Sequence, residues 1–147
     1  MTILGQEPRE QHMALTAEDR LEMTDLLGRY NQAIDNRKAE AWADTFTSDG
    51  VFVVEGSEPI AGRDALIAMV EAMGENSTPP TKHWVSNLRF DGDGDNATML
   101  ADIVILQQNR VLLSGRYVNT LQHTNLPTEA DHAPAWKFSK RLFINEG

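Results

Sequence analysis

Apolar positions along this chain follow a helical period early and a strand period late. Leu21, Leu26, Leu27, Tyr30, Ala33 and Ile34 recur near every 3.6 residues, which predicts an amphipathic helix. Thr16-Ala-Glu-Asp19 supplies an N-cap and first-turn acids, so the helix starts at Thr16 and closes at Asp35, before Asn36-Arg-Lys. A second short helix is expected over Ala39 to Phe46, with Trp42 and Phe46 one turn apart, and Thr47 to Gly50 reads as a turn. Val51 to Glu55 is a compact β run, followed by a turn to Gly62 and a third helix over Arg63 to Met73. Gly74 to Pro80 breaks that helix.

Beyond Pro80 the pattern is β-like throughout. Strands are expected over Lys82 to Phe90, Asn96 to Gln108, Val111 to His123 and Ala135 to Ile144. Asp91-Gly-Asp-Gly-Asp95 and Asn109-Arg110 form the tight connections, and Asn125 to Pro134 a polar loop. In the 82–90 run, alternation sets His83, Val85, Asn87 and Arg89 against Trp84, Ser86, Leu88 and Phe90. In the last run it sets Trp136, Phe138, Lys140, Leu142 and Ile144 against Lys137, Ser139, Arg141 and Phe143. Helices with one early strand, then an antiparallel meander, describe an α+β fold with a curved sheet wrapped around helices. Curvature of that kind makes a concave face, which packed helices turn into a pocket.

The chain has 147 residues, enough for one domain with a real core, here placed at 16–147 behind a loose arm at 1–15. It has no cysteine, which removes disulfides, thiol catalysis and Cys-type metal sites and fits a cytoplasmic location. A net charge of -9 argues against nucleic acid or an anionic membrane surface as partner. No segment has the length of a signal core or a membrane span.

The candidate chemistry is sparse. Asp91 to Asp95 opens like a calcium loop, but the twelfth position is Asp102, not Glu, and the flanks are strands, so it reads as a hairpin turn. His12, His83, His123 and His132 lack His-x-x-x-His spacing, and no metal site is assigned. There is no Gly-rich phosphate loop and no Gly-x-Ser-x-Gly elbow. One pair stands out: Asp35, at a helix end where the dipole disfavours an acid, and His83, near the start of a strand. A His oriented by a carboxylate is a common general base near neutral pH.

An ordered set of segments carries a resemblance. Arg29-Tyr30…Asp35, Trp42…Phe46, Asp49-Gly-Val-Phe52, Gly62-Arg-Asp-Ala-Leu66, Lys82-His-Trp-Val-Ser-Asn87, Gly115-Arg-Tyr117 and Trp136-Lys-Phe-Ser-Lys-Arg141 run in order from about Thr16 to Ile144. The chain resembles the SnoaL-like branch of the NTF2-like superfamily. Similar enzymes are scytalone dehydratase, bile-acid 7α-dehydratase and, most closely by motif, hexachlorocyclohexane dehydrochlorinase. The resemblance implies a cone-shaped α+β barrel around an apolar cavity, with Asp35 and His83 as a dyad inside it. It implies roles for Tyr30 and Arg141 in stabilising an oxygen or leaving group, and Phe52, Ile103, Ile105, Leu113 and Tyr117 as cavity lining. Tyr30 occupies a position that is Tyr in the dehydratases and not in the dehydrochlorinase, which favours dehydration.

The expected activity is that of a cofactor-independent lyase or isomerase on a small apolar cyclic molecule, with no metal. The alternatives are a non-catalytic ligand-binding or accessory protein, a β-subunit-like partner of a ring-hydroxylating dioxygenase, and a polyketide cyclase or hydroxylase. Proteins of this fold commonly form homo-oligomers, here a dimer or trimer.

Overall fold

A computed structural model describes residues 14–124 and 135–147. The elements are α1 (Ala17–Asp35), α2 (Ala39–Ala43), β1 (Phe46–Val54), β2 (Ile60–Ala61), α3 (Arg63–Glu75), β3 (Thr81–Asp93), β4 (Asn96–Gln107), β5 (Arg110–His123) and β6 (Trp136–Asn145). The expected polar loop lies outside the described residues, as do His12, His132 and the arm up to residue 13. Ala14 pairs with Asp93, and Leu15 is already buried in the core.

Helix α1 begins where its cap dictates. The Thr16 hydroxyl accepts from the Asp19 amide at 3.0 Å, and the Asp19 carboxylate accepts from the Thr16 amide at 2.9 Å. Asp19 is buried and also accepts from the Trp136 indole at 3.1 Å, which fastens the start of α1 to β6. Met23, Leu26, Leu27, Tyr30, Ala33 and Ile34 form the buried stripe. Leu66 and Val70 of α3 join the same core.

The six strands run in the order β2-β1-β6-β5-β4-β3. All neighbours are antiparallel except β1 and β6, which pair in parallel, so the sheet is mixed. It curves into the cone expected for the fold without closing, because β2 and β3 remain at opposite edges. Among the described residues, no helix is long and apolar enough to cross a membrane.

The strand pairing slips at four places, one of them at Leu112 of β5, and the slips in β1, β3 and β6 bear on the site. In β1, the expected Thr47–Gly50 turn is instead an irregular stretch within the strand, where the pairing with β6 slips between Phe46 and Val51. Helix α2 accordingly stops at Ala43, and Phe46 starts the strand. In β3, Asn87 and Leu88 together oppose Ala101, and Asn87 takes φ 56°. The extra residue reverses the alternation, so Leu88 and Phe90 pack on the core side with His83 and Val85, while Asn87 turns out to Asp102 at 2.7 Å. The expected pairing of His83 with Asn87 on one face is thus overturned. In β6, Ser139 is the extra residue. Trp136 and Phe138 before it, and Arg141 and Phe143 after it, all face inward, contrary to strict alternation.

Candidate active site

The end of α1 and the start of β3 meet at one edge of the sheet. β3 is an edge strand, and the His83 amide on its free side donates to Asp35 Oδ2 at 3.0 Å. The ring of the same residue contacts the other carboxylate oxygen, with Nδ1 2.6 Å from Oδ1. Thr81, two residues earlier on the same face, adds a longer hydroxyl contact to Oδ1 at 3.4 Å. One carboxylate therefore caps the strand edge and holds the imidazole. The Asp35 and His83 side chains are only 13% and 9% exposed.

These contacts decide the protonation pattern. Burial pushes the Asp35 carboxyl up, but the hydrogen bonds from the His83 ring and amide, the His83 charge and the Thr81 hydroxyl together outweigh it. Its pKa lies below the ordinary aspartate value, so the group is a carboxylate at neutral pH. A carboxylate only accepts, so Nδ1 must carry the proton and the neutral ring keeps its lone pair on Nε2. That is the arrangement of a base with one free nitrogen.

His83 borders an apolar cavity of about 380 Å³. Of the expected lining, Phe52, Ile105, Leu113 and Tyr117 are on its wall, and so is Tyr30. Ile103 is not: it points the same way as Ile105 but is buried against Tyr117 and Phe143, one layer deeper. Sequence reasoning missed the wall residues Ile34, Met69 and Met73, which come from the inner faces of α1 and α3. It also missed Thr81, although its i, i+2 spacing from His83 on a strand puts both on one face.

Arg141 lies behind the wall and not on it. It is fully buried, with its guanidinium carbon 3.6 Å from the Tyr117 ring centre, 4.1 Å from Tyr30 and 4.6 Å from Phe138. Its Nε donates to Asn119 Oδ1 at 2.9 Å, and among the described residues neither terminal nitrogen has a hydrogen-bond partner. Asn119 faces Arg141 across the β5–β6 pairing, between the inward residues Tyr117 and Leu121. A polar residue at an inward strand position is the signal that would have exposed it. Burial raises the phenol of Tyr30 well above its usual value and raises that of Tyr117, while the Arg141 charge pulls in the opposite direction on both. Both phenols therefore stay protonated, and because the two hydroxyls hydrogen-bond to each other, one of the two protons is already engaged.

Among the described residues, one other cluster has metal-ligand chemistry. Asp19, Glu22 and His123 bring ligand atoms within 4.8 Å of one another. Both Asp19 oxygens already accept hydrogen bonds, from the Thr16 amide and the Trp136 indole, so this cluster is read as a structural clasp.

A model of the SnoaL-like domain matches residues 15–141. The chain belongs to the SnoaL-like family. Among solved structures, it is similar to Rv3472, a protein of unknown function from Mycobacterium tuberculosis, at 27% identity and TM-score 0.77, covering 88% of this chain and 72% of that one. It is also similar to a putative scytalone dehydratase from Novosphingobium aromaticivorans, at 20% identity and TM-score 0.73, covering 88% and 85%. LinA shares 17% identity at TM-score 0.73, covering 88% and 87%. At these last identities the likeness is one of fold. No curated protein matches this SnoaL-like chain in sequence.

Proposed function

We propose that this protein is a lyase or isomerase that removes a proton from carbon in an apolar cyclic substrate, without a cofactor. The observation that carries this reading is the Asp35–His83 contact of 2.6 Å at the wall of an apolar cavity. Nε2 of His83 takes the proton, and Asp35 holds the ring and stabilises the imidazolium that forms. A β-hydroxyl then leaves as water by taking up the proton now on His83 Nε2, or a halide leaves as its anion while His83 passes that proton to solvent. The hydrogen-bonded Tyr30–Tyr117 pair offers one phenol donor from the wall to the oxygen on which charge develops. Arg141 acts through them: its positive field beneath the two rings favours negative charge in the cavity above. The low polarity of the cavity keeps that field unscreened.

The same cavity also suits a non-catalytic ligand carrier, and one observation favours that reading: Arg141 does not reach the wall. Turnover separates the two. Wild type and His83→Ala are assayed for release of water or halide from β-hydroxy cyclic ketones and chlorinated cyclohexanes. A lyase loses about 10²- to 10⁴-fold in rate when its general base is removed. Equal rates for the two proteins, or binding without turnover, would favour the carrier.

A further inference from the structure

His83 faces two spaces. Besides the inner cavity, a groove of about 850 Å³ runs along the outside of the sheet edge, past the end of α1. Thr81 and His83 are the residues common to both walls. The two spaces abut twice in the chain. Thr78 lines the inner cavity and Pro80 the groove, and likewise Gln107 and Gln108. The Gln107 side chain donates to the Pro79 carbonyl at 3.3 Å across this junction, and Arg37 donates to the same carbonyl at 3.1 Å.

The groove differs from the cavity in chemistry. Its wall carries neutral carboxamides: Asn31 and Gln32 from α1, with Gln108 and Asn109 from the β4–β5 turn. Both turn residues have positive φ, 53° and 63°, a two-residue hairpin turn that fixes where they sit. Asn31 Oδ1 is buried and, among the described residues, has no hydrogen-bond partner, so a ligand donor would reach it once the side chain turns toward the groove. Trp84 lines the groove with 60% of its surface exposed, a large apolar ring face in water. Among the ionisable lining groups, Asp35 and His83 engage each other, which leaves Lys82 as the one other charge.

We infer that the outer groove is a binding site for a neutral, hydroxyl-rich arm of the substrate, sugar-like in chemistry, whose apolar ring occupies the inner cavity. Hydroxyls donate and accept, as carboxamides do, and the C–H face of a pyranose lies flat on an indole. A phosphate or carboxylate arm would call for Arg or several Lys, and a single Lys82 does not provide that. Such a substrate crosses from one space to the other beside His83, which puts the carbon joining ring and arm next to the base. This substrate assignment rests on the dyad reading, but the arm site itself does not.

The test uses binding, so it stands apart from turnover. Affinities of the wild-type chain are measured calorimetrically for 2-naphthol, 2-naphthyl β-D-glucopyranoside and 2-naphthyl sulfate. The glucoside is expected to bind about tenfold tighter than naphthol, a gain of the size a few exposed contacts provide. That gain should disappear in Trp84→Ala and shrink in Asn31→Ala, while both variants bind naphthol as wild type does. The inference is overturned if the glucoside binds no tighter than naphthol or not at all, if its advantage survives both substitutions, or if the sulfate binds best. An inactive dyad would leave the glucoside pattern intact. Loss of that pattern would leave turnover by His83 untouched.

Discussion

At the residue scale, the account depends on what single carboxylate and guanidinium groups do in partial or full burial. Asp35→Asn keeps the shape of the dyad but allows an amide N–H to face Nδ1, which moves the proton to Nε2 and leaves no base. The expected result is a loss of about 10²- to 10⁴-fold in turnover with the fold retained. Asp35 also makes stability depend on pH. Its folded pKa is depressed, so its contribution is complete above the ordinary aspartate pKa and is lost as pH falls through the lowered one. Thermal melts of wild type and Asp35→Asn should converge in that acid window and diverge above it. A difference that grows toward acid would contradict the assignment.

Arg141 gives a second prediction at this scale. A cation buried with no anionic partner among the described residues bears a desolvation cost that its three ring contacts and one hydrogen bond offset only in part. Arg141→Met, similar in length and apolar, should leave the melting temperature unchanged or higher while lowering turnover. A steep loss of stability would show that the aromatic cage depends on the charge. Ile103 and Arg141 were both expected at the pocket from their positions in matching segments. Each points inward, yet Tyr117 stands between each of them and the cavity, and no pattern in one dimension records such layering.

At the element scale, the sequence was most legible where local rules decide. The capping box at Thr16 sets the start of α1, and the stripe from Leu26 to Ile34 sets its buried face, although Leu21, expected on that stripe, is 70% exposed and Met23 is buried in its place. The four strands after Pro80 were also placed closely, whereas β1 starts at Phe46 and not Val51, and β2 lies in a segment expected to be a turn. The failures sit at the bulges, where one inserted residue reverses a two-residue period that is otherwise reliable. Asn87 shows why such a site is hard to read and easy to test. Its φ of 56° suits Asn or Gly and penalises a β-branched residue. Asn87→Gly should fold at nearly wild-type stability, whereas Asn87→Val should lose about 1–2 kcal/mol in denaturant unfolding. Equal losses would mean that the Asn87–Asp102 hydrogen bond, not the backbone, holds the bulge. Gly115 has a different constraint, since a Cβ there would collide with the Ile144 carbonyl on the neighbouring strand. That close approach helps β6 present Phe143 to the cavity.

For the whole molecule, the sheet carries His83, α1 carries Asp35, and strands and helices together wall the cavity. The dyad residues are 48 positions apart in the chain, so only the closure of α1 against the β3 edge creates the site. Residue type and position singled out the pair, and resemblance to a family put both residues inside one cavity; no pattern along the chain records the contact between them. The cavity itself is testable without a substrate. A ring-sized apolar ketone such as 2-tetralone should raise the melting temperature by mass action. Leu113→Trp, which fills the cavity, should abolish that rise while keeping the wild-type circular dichroism spectrum. A persistent rise would place the ligand elsewhere.

The central claim is that His83, held by Asp35, removes a proton from carbon. The most direct measurement is solvent deuterium incorporation at the α-carbon of 2-tetralone in D₂O, followed by NMR, for wild type, Asp35→Asn and His83→Ala. The account predicts exchange catalysed by wild type, strongly reduced in Asp35→Asn and at the buffer rate in His83→Ala. Exchange by His83→Ala at the wild-type rate, or none by wild type with the ketone bound, would contradict it.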